Sequence, residues 1–430
     1  MRELAHLSTR RSKVITGSSD GKKGNTSMPA VSQRINGDIQ ILRGLSVLTI
    51  LVGHNYLRFV YDPLVSLLTY VATWIGVDIF FCISGYVITT SFIAQYVRMQ
   101  ETDVDNRTIN VFLFWLRRIF RIWPAAWFWA IGVVLAQLIF DANNDPNFAK
   151  DLISSSWAAL LQINNFHQFS YIAAHGHWTH GGIFWSLSLE EQFYILFPLA
   201  FTFLSKRVFV ILLLLIAVPQ MLFERNDVTN SFLYFFRTDA LCAGVLLAMF
   251  RNYVLNKNGK LASLIDWAAQ QTVVRYIFVP FVFCSILVLP TGFIMFRYYT
   301  GMIAVLAAIL VFIASADQDS IVPFRRIRPA LLWVGSRSYS IYLCQIPYMA
   351  FMYWCIRGNN NVIANNIPVK IVIALGVFVV AEASYQFVEK PFLAIGHRVS
   401  KRWGAAASPD SKTDPEGTST TGQPNLARTG

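Results

Sequence analysis

Arg43 and His54 stand eleven positions apart, and every residue between them is apolar, small or hydroxyl-bearing. On a helix that separation is about 16 Å at roughly 1.5 Å per residue, so one buried helix carries an arginine near its end and an imidazole well inside it. An imidazole in an apolar layer costs free energy unless it finds partners. His54 is therefore a candidate functional group, with a helix-to-helix hydrogen bond as its plainer use. Asp78, Glu190, Arg237, Asp239 and Gln345 also lie within apolar runs, and helix rise places them with His54 roughly 9 to 17 Å below one face. Such a shared layer on five helices is what a buried catalytic or transport cavity requires, because charge in lipid must pair or meet water.

A second cluster, Arg117-Arg118-Ile119-Phe120-Arg121, sits at the mouth of a helix with Arg117 and Arg121 on one face and Arg118 beside them. Arginines there set membrane orientation; three of them also make a phosphate clamp, because the guanidinium fork bonds phosphate oxygens in pairs. Farther on, His167, His175, His177 and His180 crowd a segment rich in aromatics. With no cysteine or defined carboxylate beside them, they read as a solvated substrate loop and not as a metal site. The following run Trp185 to Tyr194 places Glu190 and Tyr194 on one helical face, while Glu191 points about 100° away toward another partner.

The elements that position these groups are apolar stretches near 40–60, 70–92, 119–140, 183–204, 207–223, 231–250, 273–290, 297–315, 330–356 and 369–389. Each is long enough to span a bilayer, which predicts an all-α polytopic membrane protein of about ten transmembrane helices. Basic connections (Arg98, Arg107, Arg117 and Arg118; Lys206 and Arg207; Arg251, Lys257 and Lys260; Arg325, Arg326 and Arg328) alternate with acidic or Asn-rich ones (Asp62; 141–151; Glu224 to Asp227; 359–366). The bias assigns the basic side, and both termini, to the cytoplasm. Residues 1–36 and 396–430 read as disordered cytoplasmic tails around a 37–395 transmembrane domain, with no signal peptide at the start.

Composition agrees. The 430 residues are 55% hydrophobic and only 14% charged, with mean hydropathy +0.46, against roughly 25% charge in soluble domains. A net charge of +12 would suggest nucleic acid in a soluble chain; here it lies between apolar segments, where it sets orientation, so no nucleic-acid partner is expected. The five cysteines fall in apolar runs without metal-ligand spacing and read as small packing residues.

In order along 37–395, Arg43/His54, Gly76-Val77-Asp78 through Ser84-Gly85-Tyr86, Arg117/Arg118/Arg121, Ser186-Leu187-Ser188-Leu189-Glu190-Glu191-Gln192-Phe193-Tyr194, Arg237-Thr238-Asp239 with Gly244, Ser338-Tyr339-Ser340-Ile341-Tyr342-Leu343 and Glu389-Lys390-Pro391 resemble the successive signatures of the membrane-bound acyltransferase 3 family. The resemblance implies a ten-helix enzyme of the bacterial plasma membrane that moves an acyl group, usually acetyl from acetyl-CoA, to a hydroxyl of a surface polysaccharide, lipopolysaccharide or related molecule. Acetyl-CoA would be a co-substrate, with no bound cofactor and no metal. Some relatives carry a fused extracytoplasmic esterase-like domain, for which this chain is expected to have no room. Gln345 departs from the pattern, since relatives often have His there, so no proton role follows for that position.

Within this reading acyl-CoA docks at Arg43, Arg117, Arg118 and Arg121, and His54 is the general base that activates the acceptor hydroxyl. Glu190 or Asp78 orients its ring. Trp185, Tyr194, Arg237, Asp239, Ser340, Tyr342 and Gln345 line the acceptor cavity, and the 141–182 loop, with its aromatics, selects the acceptor. A covalent intermediate on Ser84 or Ser340 is the alternative to direct transfer. The competing assignments are an acyltransferase for a small hydroxylated metabolite and a transporter or flippase of glycan precursors. The latter is disfavoured by the absence of repeated halves in the sequence.

Overall fold

The structure is a computed structural model that describes residues 36–54, 70–101, 107–140, 146–179, 182–223, 232–292, 298–357 and 367–406. Their regular structure is entirely helical. Expectations about Asp62, 224–227, 359–366, His180 and most of both tails fall outside the described residues. By length and composition two helices there are able to cross a membrane, Thr73–Met99 and Arg107–Ala136; a bent pair, Gly259–Gln270 with Val274–Pro290 at 62°, would make a third. The chain is an all-α membrane protein. The first described helix begins at Gly37, capped by the Asn36 side chain accepting from Ile39 N at 2.8 Å, and ends at Gly53.

Helix α1 (Gly37–Gly53) packs beside α2 (Gly76–Glu101), and α3 (Arg107–Phe140) follows. At 34 residues α3 is about 51 Å long, well beyond a hydrocarbon core of about 30 Å, so one end projects past it. The segment expected as an outer loop is itself largely helical, α4 (Pro146–Leu160) and α5 (Asn164–His175). Gly176, at φ +76, ends α5 in the left-handed conformation that glycine adopts without strain. Then come α6 (Phe184–Phe203), α7 (Lys206–Leu222), the short α8 (Phe232–Phe235), α9 (Asp239–Lys257) and α10 (Gly259–Gln270). The remainder comprises α11 (Val279–Gly292), α12 (Tyr299–Ala314), α13 (Arg328–Ser336), α14 (Ser338–Arg357), α15 (Ile367–Ser384) and α16 (Lys390–Ala406).

Two crossings fix the site-bearing helices, and both rely on missing side chains. Gly85 of α2 lies against the Leu241 carbonyl of α9, and Gly244 of α9 against the Cys82 carbonyl of α2, so a Cβ at either would strike backbone. Small residues of this kind let apolar helices approach closely enough for dispersion to hold them without a hydrophobic driving force. At the second crossing, a Cβ on Gly44 of α1 would come within 2.8 Å of Leu331 O and 3.1 Å of Gly335 N in α13. The start of α1 is tied down by charge as well. Asp38, fully buried, accepts from Ser320 N at 2.7 Å and pairs with Arg328 at 3.0 Å.

The C-terminal boundary also differs from expectation. Residues 396–406, assigned to a disordered tail, continue α16, which packs along α3 through Ser400 at Arg117 (3.0 Å), Trp403 edge-on to Phe112 and Gly396 against Phe120. Its apolar residues, Phe392, Ile395 and Trp403, recur at helical spacing among Arg398, Lys401 and Arg402, which composition alone averages into tail-like polarity.

Candidate functional site

Two adjoining chambers divide the expected site residues. One is lined by Arg43, Arg118, Arg121, Glu190, Glu191 and Tyr194 together with Ser84 and Tyr339. The other is lined by His54, Arg237, Trp74, Trp178, Trp185 and Tyr234. Ile50, Val77 and Tyr342 belong to both walls. The histidine chamber holds about 550 Å³, within the roughly 300–1,000 Å³ typical of small-molecule sites; the arginine chamber is a narrow space of about 90 Å³. Helix α1 serves both, since Arg43 and His54 are separated along it by about 16 Å.

In the arginine chamber three guanidinium groups face two carboxylates, leaving one net positive charge on its walls. Arg118 lies over the rings of Tyr194 at 5.1 Å and Phe114 at 5.6 Å, contacts that orient the fork while leaving its edge free to bond. Ser84 and Tyr194 both donate to Glu190 Oε1. Glu191, one position on, turns to α3 and accepts from Trp123 Nε1 at 3.1 Å. Arg117 does not join this group. It donates to Gln95 Oε1 of α2 and to Ser400 Oγ of α16, so of the three arginines expected together only Arg118 and Arg121, three residues apart, line the chamber. Spacings of three and four both present two side chains on one helix face; packing of α16 on α3 decides between them.

His54 is the C-cap residue of α1, half-buried, with its backbone N–H on Ile50 O. Its Nδ1 lies 3.0 Å from Gln345 Oε1, and Gln345 Nε2 donates to Tyr342 O at 2.9 Å. A carbonyl can only accept, so the Gln345 nitrogen faces Tyr342 and its oxygen faces the ring. Nδ1 must then carry the proton of the neutral imidazole, leaving the Nε2 lone pair for another proton. The two carboxylates expected to orient this ring are engaged elsewhere. Glu190 belongs to the arginine chamber, and Asp78, in the first turn of α2, pairs with Arg237 at 3.3 Å. A shared depth along separate helices does not specify which face each residue presents, and this is why the expected single layer separates into two groups.

Trp185 stacks its face under Arg237 (5.1 Å) and meets Phe81 edge-on. Tyr342 OH donates to Ile183 O and lies 2.8 Å from Ser186 Oγ, which holds the ring at the boundary between the chambers. Asp239 is buried at the first position of α9. Ser340 donates to Glu389 Oε2 at 2.9 Å; Glu389 ends a five-residue π-helical turn, Tyr385–Glu389, whose extra residue rotates it inward. Trp178, one of the aromatics expected in the 141–182 segment, lines this chamber; Trp74 and Tyr234 were not singled out from the sequence, where aromatics in apolar runs carry no distinguishing signal. The outer histidines are spent locally, His167 on Ser154 Oγ (3.1 Å) and His175 on Tyr171 O (3.0 Å). Among the described residues no three His, Cys, Asp or Glu side chains are grouped to hold a metal ion.

Residues 36–383 match the family model described as an acyltransferase domain. O-acetyltransferase OatA of Staphylococcus aureus (strain NCTC 8325 / PS 47) is 31% identical over 356 residues, covering 76% of this chain and 53% of OatA. YrhL of Bacillus subtilis (strain 168), whose name assigns it provisionally to peptidoglycan O-acetylation, is 31% identical over 352 residues, 76% of this chain and 52% of YrhL. The chain thus spans about half the length of these curated relatives. No solved structure matches it. With the match extending over most of its length and through both chambers, the chain belongs to this acyltransferase family.

Proposed function

We propose that the protein is a plasma-membrane O-acyltransferase that moves an acyl group, acetyl in the simplest case, from cytoplasmic acyl-CoA to a hydroxyl of an extracytoplasmic glycan or glycolipid. The observation that carries this reading is the junction of the chambers, where Ile50, Val77 and Tyr342 are common to a wall bearing three arginines and a wall bearing His54. Phosphate-rich acyl-CoA suits the arginines, and the lysine and arginine bias of the connections puts that end on the cytoplasmic side. The acceptor enters the other chamber. The name of YrhL supports a peptidoglycan-type acceptor over lipopolysaccharide.

In the transfer, His54 Nε2 takes the proton of the acceptor hydroxyl as its oxygen attacks the thioester carbonyl. The C–O bond forms, the C–S bond breaks, and the departing thiolate is protonated by the imidazolium. Gln345 holds the ring in the tautomer this requires. The reading is tested by mass spectrometry of surface glycans from a strain lacking the gene, where loss of an acetyl increment is expected. An unchanged acetyl pattern, together with no acetyl transfer by the purified protein, would overturn it.

Gln345→Leu removes the acceptor at Nδ1 and is expected to lower kcat about 10- to 100-fold, less than the roughly 10² to 10⁴ contributed by a general base itself. Gln345→Glu keeps an accepting oxygen there and should retain most of the rate. Equal rates in wild type and Gln345→Leu would show that the contact orients nothing.

A further inference from the structure

Arg237 is the only arginine or lysine among the described residues that line the histidine chamber. It is 3% exposed, and its guanidinium lies over three ring faces, Trp74 at 5.2 Å, Trp185 at 5.1 Å and Tyr234 at 4.8 Å. Asp78 approaches the fork from the Nε side, at 3.3 Å. Nη2 has no hydrogen-bond partner among the described residues. A buried charged N–H left unbonded is costly, and in a chamber wall it marks a place prepared for an accepting atom.

The chemistry of that atom follows from the surrounding charge. Asp78 and Arg237 are both buried and already cancel, and the chamber's other ionisable neighbours are His54 and two tyrosines. A carboxylate brought into this space would add an uncompensated buried charge, whereas a neutral carbonyl or hydroxyl oxygen completes the fork at no such cost. The guanidinium already covers faces of Trp74, Trp185 and Tyr234, so the indole open to a ligand is Trp178, 40% exposed at the rim and edge-on to Tyr234. An exposed indole beside a fixed donor suits a sugar ring, which offers an apolar face and a polar edge.

We propose that the histidine chamber binds a neutral pyranose whose carbonyl or hydroxyl oxygen accepts from Arg237 Nη2 while its ring stacks on Trp178 and a free hydroxyl faces His54. The inference rests on the reading that the acceptor enters this chamber. Its test is a binding titration of the detergent-purified full chain, without acyl-CoA, followed by tryptophan fluorescence. Methyl N-acetyl-β-glucosaminide, neutral and carrying an amide carbonyl, should bind saturably, and methyl β-glucuronide at least about tenfold more weakly. Arg237→Lys keeps a cation for Asp78 but loses the fork, and should weaken glucosaminide binding roughly 10- to 100-fold with the melting temperature little changed. Trp178→Ala, on the exposed rim, should weaken it a few-fold without affecting folding. Glucuronide binding as tight as glucosaminide, no saturable sugar binding, or wild-type affinity in both variants would overturn the proposal. Acetyl-CoA binding to the same preparation reports on the arginine chamber. If it persists while sugar binding is absent, this inference fails alone; if it too is absent, the donor reading falls with it.

Discussion

His54→Ala is expected to cut acyl transfer by about 10² to 10⁴-fold, the usual contribution of a positioned general base. The protein should still insert and purify normally, because His54 caps the end of α1 on a chamber wall and its ring bonds only Gln345 among the described residues. Affinity for acyl-CoA, measured by calorimetry in detergent, should stay near wild type, since the arginines line the other chamber. Wild-type rates of glycan acetylation in this variant would remove His54 from the mechanism.

Arg118→Ala and Arg121→Ala should each weaken acyl-CoA binding roughly 10- to 100-fold, as expected for loss of a hydrogen bond to a charged group. Added salt should lower wild-type affinity and narrow its gap to the variants, because screening weakens the contact that the variants lack. Arg117→Ala is the informative contrast. Its side chain is held between Gln95 and Ser400, so its loss should loosen α16 on α3 and leave donor affinity unchanged. If the three variants weaken binding equally, the donor site is not the chamber described here.

The sequence made the chemistry legible and the pairing much less so. Arg43 and His54 were readable because a fixed helical rise converts spacing into distance, and their separation on α1 is the one the structure displays. Arg118 and Arg121 could not be told from Arg117, because the discriminating neighbours, Gln95 and Ser400, come from α2 and from a helix read as tail. Asp78 and Glu190 looked like partners for His54 on depth alone; which way each side chain turns depends on crossings set by Gly85 and Gly244. Gln345 carried a signal of another kind. The resemblance set it apart from the expected pattern, and it is the residue in contact with the His54 ring.

Arg43 and His54 share one short rod that is pinned to α13 where Gly44 meets Gly335 and fastened at its start by the Asp38 and Arg328 pair. For as long as α1 stays helical, its rise fixes the distance between the two groups at about 16 Å. On the proposed reading neither substrate needs to cross the molecule: each reaches the wall shared at Ile50, Val77 and Tyr342 from its own chamber, and only the acyl group passes.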